Sequence, residues 1–146
     1  GSSIALLLEH QGASLLLGAD AYASVLAAGV QALCAARGQS GPLRVDAFKL
    51  AHHGSRGNLT RALLHAVHAH HYLVSTNNAV FGLPDDEALA RIVLHGGSAP
   101  MLWFNYATDT NRRWADPTLQ ARFGFETRFP AVGGAGIRIE LPPHSA

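Results

Sequence analysis

The chain has 146 residues, 48% of them hydrophobic and only 14% charged, with a formal net charge of +1 that leaves nine histidines uncounted. That is the size of one ordinary domain with a real core, and the charge balance excludes a domain that holds nucleic acid by a basic surface alone. The single cysteine, Cys34, excludes an intrachain disulfide, and no apolar run reaches the length of a membrane span, so a cytoplasmic setting without a membrane segment is expected.

Two short apolar runs, 3–9 and 13–17, flank His10-Gln11-Gly12 and read as paired strands joined by a tight turn. Residues 21–37 are rich in alanine and leucine without proline, and Gly38 stands where a helix C-cap belongs. Residues 45–50 read as a buried strand, after which Asn58 is expected to cap a helix running through His68. A short strand at 72–75 leads through Asn77-Asn78 to Pro84, and Asp85 and Asp86 open a helix over 87–94, where acidic residues suit the positive end of the helix dipole. A strand at 101–106, a short helix starting at Asp116 or Thr118, and strands at 126–129 and 136–141 complete the chain. Strands alternating with helices predict an α/β layer in which helices cover a sheet.

The chemistry-bearing residues gather at strand ends. Leu15 to Asp20 reads LLLGAD and delivers a carboxylate after a buried strand, and 46–58 reads DAFKLAHHGSRGN and delivers His52 and His53 before a glycine-punctuated loop. An aspartate able to bridge two cations and imidazole nitrogens to complete each shell are the donors of a dinuclear zinc site. Adjacent strand-end side chains point to opposite sides, so spacing leaves open which histidine ligates, with His53 preferred. Alone, Asp20 reads equally as a helix cap and the histidine pair as loop hydrogen bonders. The turn at Ser55, Arg56 and Gly57 is suited to receive a phosphate oxygen, with Arg56 as a clamp, or simply to cap the next helix. Asn77 and Asn78 either orient a substrate or make a turn. His65 and His68 share a helix face next to His70 and His71, but no cysteine or carboxylate joins them, so they read as an exposed helix end. Asp109, Arg112, Arg113 and Trp114 offer a stacking surface for nucleic acid and read more simply as a capped loop.

The GADA and HHGS segments, with SIALLLEH before them, resemble the C-terminal half of a metallo-β-lactamase-fold hydrolase of the ComEC-like branch, related to DNA uptake. The resemblance covers about 3–101 and fades beyond. It implies that residues 1–146 are a single partial domain, the second half of an αββα sandwich, whose N-terminal half carries the HxHxDH motif that this chain lacks. It further implies that Asp20 bridges two metals, that a histidine of His52-His53 completes one shell, that the metal is zinc or else manganese, and that the missing half is a partner. Asp20 and one histidine fall short of the three or four ligands of a stable zinc site, so the chain alone is expected to bind metal weakly. The family's GHP tripeptide reads Gly82-Leu83-Pro84 here, so a polar group expected beside the site is absent.

Two functions follow. The first is part of a metal-dependent hydrolase, a phosphodiesterase or nuclease acting on DNA through metal-activated water, with Asp20 and His53 catalytic and Ser55, Arg56, Asn77 and Asn78 against the substrate. The second is a degenerate, non-catalytic half-fold that docks onto another protein.

Overall fold

A computed structural model of the chain describes residues 2–134, 136–141 and 143. The chain opens with the hairpin β1 (Leu6–His10) and β2 (Ala13–Leu17). His10 faces Ala13 across a two-residue turn in which Gln11 and Gly12 both have positive φ, 49° and 80°. Two left-handed residues give a turn whose twist matches that of the flanking strands. Helix α1 (Ala23–Ala36) follows, burying Ala23, Leu26, Ala27, Val30 and Cys34 at the spacing of one helical face. It ends in a Schellman motif: the Gly38 N–H donates to Ala35 O and the Gln39 N–H to Cys34 O, with Gly38 at φ 64°.

The remaining elements alternate: β3 (Leu43–Lys49), α2 (Arg61–Ala66), β4 (Val67–Val74), α3 (Asp86–His95), β5 (Met101–Phe104), α4 (Asp109–Arg112), α5 (Pro117–Phe123) and β6 (Glu126–Arg128). Among the described residues they form one six-stranded mixed sheet in the order β1-β2-β3-β4-β5-β6, antiparallel at the hairpin and parallel from β2 to β6. Right-handed crossovers that always step the same way place their helices on one face, and α1, α2 and α3 accordingly pack side by side.

The register separates the two faces. Leu7, Leu16, Phe48, Tyr72, Leu102 and Thr127 lie opposite one another across the six strands, and Leu16, Phe48, Tyr72 and Leu102 are buried with Leu26, Leu63, Leu89 and Ile92 of the helices. The flanking rows, Leu6-Leu17-Lys49-Leu73-Trp103-Arg128 and Leu8-Leu15-Ala47-His71-Met101-Glu126, share the opposite face. Leu6 and Leu8 are exposed there, and Leu15, Leu17, Leu73, Met101 and Trp103 are half-buried. Among the described residues no helix is long and apolar enough to cross a membrane.

Tyr72 ties β4 to the end of α3. Its hydroxyl donates to Gly96 O at 2.6 Å and accepts from the Ala69 N–H at 3.1 Å, and burial pushes the phenol up to about 12. Tyr72→Phe keeps the ring and leaves two buried backbone groups without this partner, so a loss of about 2 to 4 kcal/mol is expected in urea unfolding.

On the open face, the Trp103 indole N–H donates to His71 Nδ1 at 3.0 Å, which requires an unprotonated Nδ1. Desolvation, with help from neighbouring His70 and Arg128 and against Asp46, holds the His71 pKa below its usual value; His68 shifts the same way through desolvation, Arg44 and His65. With folded pKa values below the unfolded 6.5, the unfolded chain binds more protons between the two values, so stability rises with pH through that window and levels off above about 6.5. Urea unfolding between pH 7.5 and 5 is expected to show stability falling below pH 6.5, with a shallower fall in His71→Gln.

Several boundaries and one element differ from the sequence expectation. The helix expected over 58–68 is α2, six residues capped by Thr60, whose hydroxyl accepts from the Leu63 N–H, and β4 begins already at Val67. His68, His70 and His71 therefore lie on a strand, and the exposed helix end assigned to them is corrected; β-sheet pairing with β3 and β5 outweighs the helical spacing of His65 and His68. The strand expected at 136–141 is not formed among the described residues: 136–141 join no ladder there, and Gly136 N–H donates to Asn105 O at 2.7 Å. Asp116 caps α5 with its side chain on the Leu119 N–H, and Pro117 occupies the first turn, as the Asp116 alternative expected.

Candidate functional site

The carboxyl ends of β2, β3, β4 and β5 lie along one edge of the parallel sheet, the edge where open α/β sheets bind ligands. β2 ends in a tight turn: Gly18 N–H reaches Lys49 O at 3.0 Å, Ala21 N–H returns to Gly18 O at 3.1 Å, and Ala19 takes a positive φ of 45°. A Cβ on Gly18 would sit 2.8 Å from Ala51 N, so glycine is what allows this turn to lie against the start of the histidine loop. Asp20 is exposed at its tip, its N–H donating to Ser3 Oγ at 2.9 Å.

The histidine loop is a 3₁₀ turn, Ala51–Gly54, in which His52 and His53 both adopt left-handed backbone, φ 44° and 56°. The loop is anchored from three sides. His52 N–H donates to Ala19 O at 2.7 Å, Asp85 N–H donates to Gly54 O at 3.0 Å, and a Cβ on Gly54 would meet Pro84 Cβ at 2.8 Å. The first of these bonds brings the Asp20 turn and the histidine pair together, 32 residues apart in sequence.

The ring nitrogens are assigned by their partners. Asn58 is buried and its Nδ2 donates to Ala21 O at 2.9 Å, which fixes the amide so that Oδ1 faces His52 Nδ1 at 3.2 Å. An amide oxygen only accepts, so His52 Nδ1 carries the hydrogen. His53 Nδ1 lies 2.5 Å from Ser75 O, again an acceptor only. In the neutral form both imidazoles therefore present an Nε2 lone pair that has no hydrogen-bond partner among the described residues, with Nδ1–H held by an oxygen, the tautomer in which histidine ligates metals through Nε2. The two ring centres are 6.4 Å apart. Two imidazole nitrogens and a carboxylate suit zinc in donor chemistry. Among the described residues no group of three or more His, Cys, Asp or Glu side chains is placed to enclose a metal ion.

The other expected contacts divide. Arg56 turns toward α3, its N–H donating to Asp85 Oδ2 at 2.7 Å and its guanidinium lying 3.9 Å from Glu87, whereas Ser55 Oγ stays within its own turn and accepts from Gly57 N–H at 3.4 Å. Asn58 does not cap a helix here; it secures His52 to the start of α1, and α2 after this turn is capped by Thr60 instead. Asn77 accepts from the Ala79 N–H and lines a cleft of about 320 Å³ shared with His53, Ser75, Thr76, Leu83, Asn105 and Tyr106. Asn78 instead faces α4, donating to Thr110 Oγ1 at 2.8 Å. Arg113 and Trp114 both bond the Asp86 carboxylate, so the cluster, read from sequence as a capped loop with stacking as the alternative, lies at an interface between α3 and the turn after α4.

The sequence reading passed over Lys49. It lies on the open sheet face in register with Leu17 and Leu73, directly before the histidine loop. Desolvation lowers its pKa and the nearby Asp20 carboxylate partly offsets this, so a cation stands within reach of Asp20's field. A lone lysine at an inward-alternating position of an apolar strand is the signal that points to it. Neither the family models nor the curated proteins match the chain's sequence, and no solved structure matches its fold.

Proposed function

We propose that this chain is one layer of a metallo-β-lactamase-type sandwich of the ComEC-like branch, the C-terminal half, and that it supplies Asp20, His52 and His53 to the metal site of a phosphodiesterase or nuclease acting on DNA. The observation that carries this reading is the double assignment of the ring nitrogens: two adjacent histidines, both in left-handed backbone, both with Nδ1–H tied to an oxygen and Nε2 without a hydrogen-bond partner among the described residues, beside an exposed aspartate at the carboxyl ends of parallel strands. Loops that only connect elements have no need to fix the same tautomer on two imidazoles.

Zinc, or else manganese, is the metal this donor set suits. Bound there, it supplies a Lewis acid for a phosphoryl oxygen and lowers the pKa of water. The chain's own contribution is to fix the ligand nitrogens through Asn58 and Ser75, to place Asp20 through the Gly18 turn, and to keep the Lys49 cation near the carboxylate. The remaining ligands come from a partner half bearing HxHxDH, and the open, largely apolar sheet face is the surface against which that second layer packs, sheet on sheet.

The non-catalytic reading is favoured by one observation: Leu83, buried on the wall of the cleft, takes the place of the family's histidine. Joining the chain to an HxHxDH-bearing first layer and assaying single-stranded DNA with zinc and with manganese separates the two. Turnover that depends on added metal supports the hydrolase; a folded, assembled protein inert with both metals leaves the docking module.

A further inference from the structure

The cleft beside His53 has a composition unlike the rest of this edge. It is lined by His53, Ser75 and Thr76 together with two exposed aromatic side chains, Phe81 and Tyr106. Phe81 is 76% exposed and neighbouring Val80 78%, large apolar side chains held out to solvent on a turn closed by Asn78 and Gly82, both with positive φ. Two side-chain amides line the same cleft. Asn105 uses its oxygen to accept from the Thr76 N–H, and Asn77 uses its oxygen to accept from the Ala79 N–H. Both oxygens are thus occupied, and both Nδ2 groups remain as donors with no hydrogen-bond partner among the described residues. Among the described residues no lysine or arginine lines the cleft.

Exposed aromatic side chains, neutral amide donors and no fixed cation do not suit a phosphate; they suit a flat, uncharged ring edged with carbonyl or ring-nitrogen acceptors. We infer that this cleft is a nucleobase subsite, in which a base stacks on Phe81 and Tyr106 while Asn77 and Asn105 donate to its acceptors. This rests on the phosphodiesterase reading above: the base would belong to the nucleotide whose phosphate lies at the histidine loop, and Leu83 becomes a wall for the ring rather than a missing polar group.

The test is fluorescence anisotropy of the chain with a labelled eight-nucleotide oligothymidylate and with an abasic oligomer of the same backbone length, at low salt. The expected result is tighter binding of the thymine oligomer, weakened about tenfold by Phe81→Ala and restored by Phe81→Trp, with abasic binding unchanged in all variants. Phe81 is exposed, so the variants fold; Tyr106→Ala is the independent second variant. Thymidine monophosphate as competitor separates a free nucleotide from a strand, since displacement that depends on Phe81 places recognition on the single nucleotide. Equal binding of the two oligomers, or no binding of either, overturns the inference. Metal-dependent hydrolysis of the abasic oligomer by the assembled enzyme reads the phosphodiesterase proposal separately, so either can fail without the other.

Discussion

Asp20→Ala and His53→Ala are each expected to lower metal-dependent phosphodiester hydrolysis of the assembled protein by at least about 100-fold while leaving its unfolding midpoint almost unchanged. Asp20 and His53 are both exposed, and the backbone bonds that shape their turns, Asp20 N–H to Ser3 and Asp85 N–H to Gly54 O, do not pass through the deleted side-chain atoms. Little packing is lost, and His53→Ala gives up one exposed hydrogen bond, to Ser75 O, so an effect far larger in turnover and zinc affinity than in stability would identify them as ligands. His52→Ala differs, because its ring is bonded to buried Asn58, and a modest stability loss should accompany its loss of metal affinity. Zinc titration by calorimetry, with urea unfolding of the same samples, measures both quantities. Unchanged turnover in Asp20→Ala would remove that residue from the site.

The second large effect is expected at Asn58, which makes no direct contact with metal in this account. Its amide spans Ala21 O, at the start of α1, and His52 Nδ1. Asn58→Ala strips a buried carbonyl and an imidazole N–H of their partner at once, for a loss of about 2 to 4 kcal/mol, and frees the His52 ring to turn. Zinc affinity should fall by about 10- to 100-fold in the protein that remains folded, the usual effect of removing the group that orients a ligand. Asn58→Asp separates the two roles. It keeps an acceptor for His52 and loses the donor to Ala21, so it should recover affinity more fully than stability. Equal recovery of both would mean that Asn58 acts only on the fold.

The layered α/β arrangement was legible because its signals are local. The Gln11-Gly12 turn, the proline-free alanine helix ended by Gly38, and the Asp116-Pro117 start of α5 each carry their own turn or cap chemistry. The start of β4 was obscured rather than silent: Val67-His68-Ala69-His70 alternates apolar and polar, but over only four residues that also continue the helical spacing of His65 and His68, and pairing with β3 and β5 decides for the strand. The final expected strand failed for the opposite reason: its apolar pattern is real, but no neighbouring strand takes it up among the described residues. At the site, residue types pointed to Asp20, His52 and His53, yet nothing in their spacing reveals that Asn58 and Ser75 O set the ring nitrogens, because those bonds span loops from different strands. The same holds for Arg56, which sequence offers as a phosphate clamp or as part of a capping turn and α3 draws toward Asp85 and Glu87.

The central claim is that His52 and His53 both hold Nδ1–H and offer Nε2. Long-range ¹H–¹⁵N correlation spectra of the histidine rings at pH 7.5, recorded before and during addition of zinc, test it on this chain directly. The account predicts Nε2 as the unprotonated nitrogen of both rings before zinc, and zinc-induced shifts at those two Nε2 atoms while His65, His68, His70 and His71 stay unmoved. An Nδ1 lone pair on either ring, or shifts confined to the β4 histidines, would contradict it.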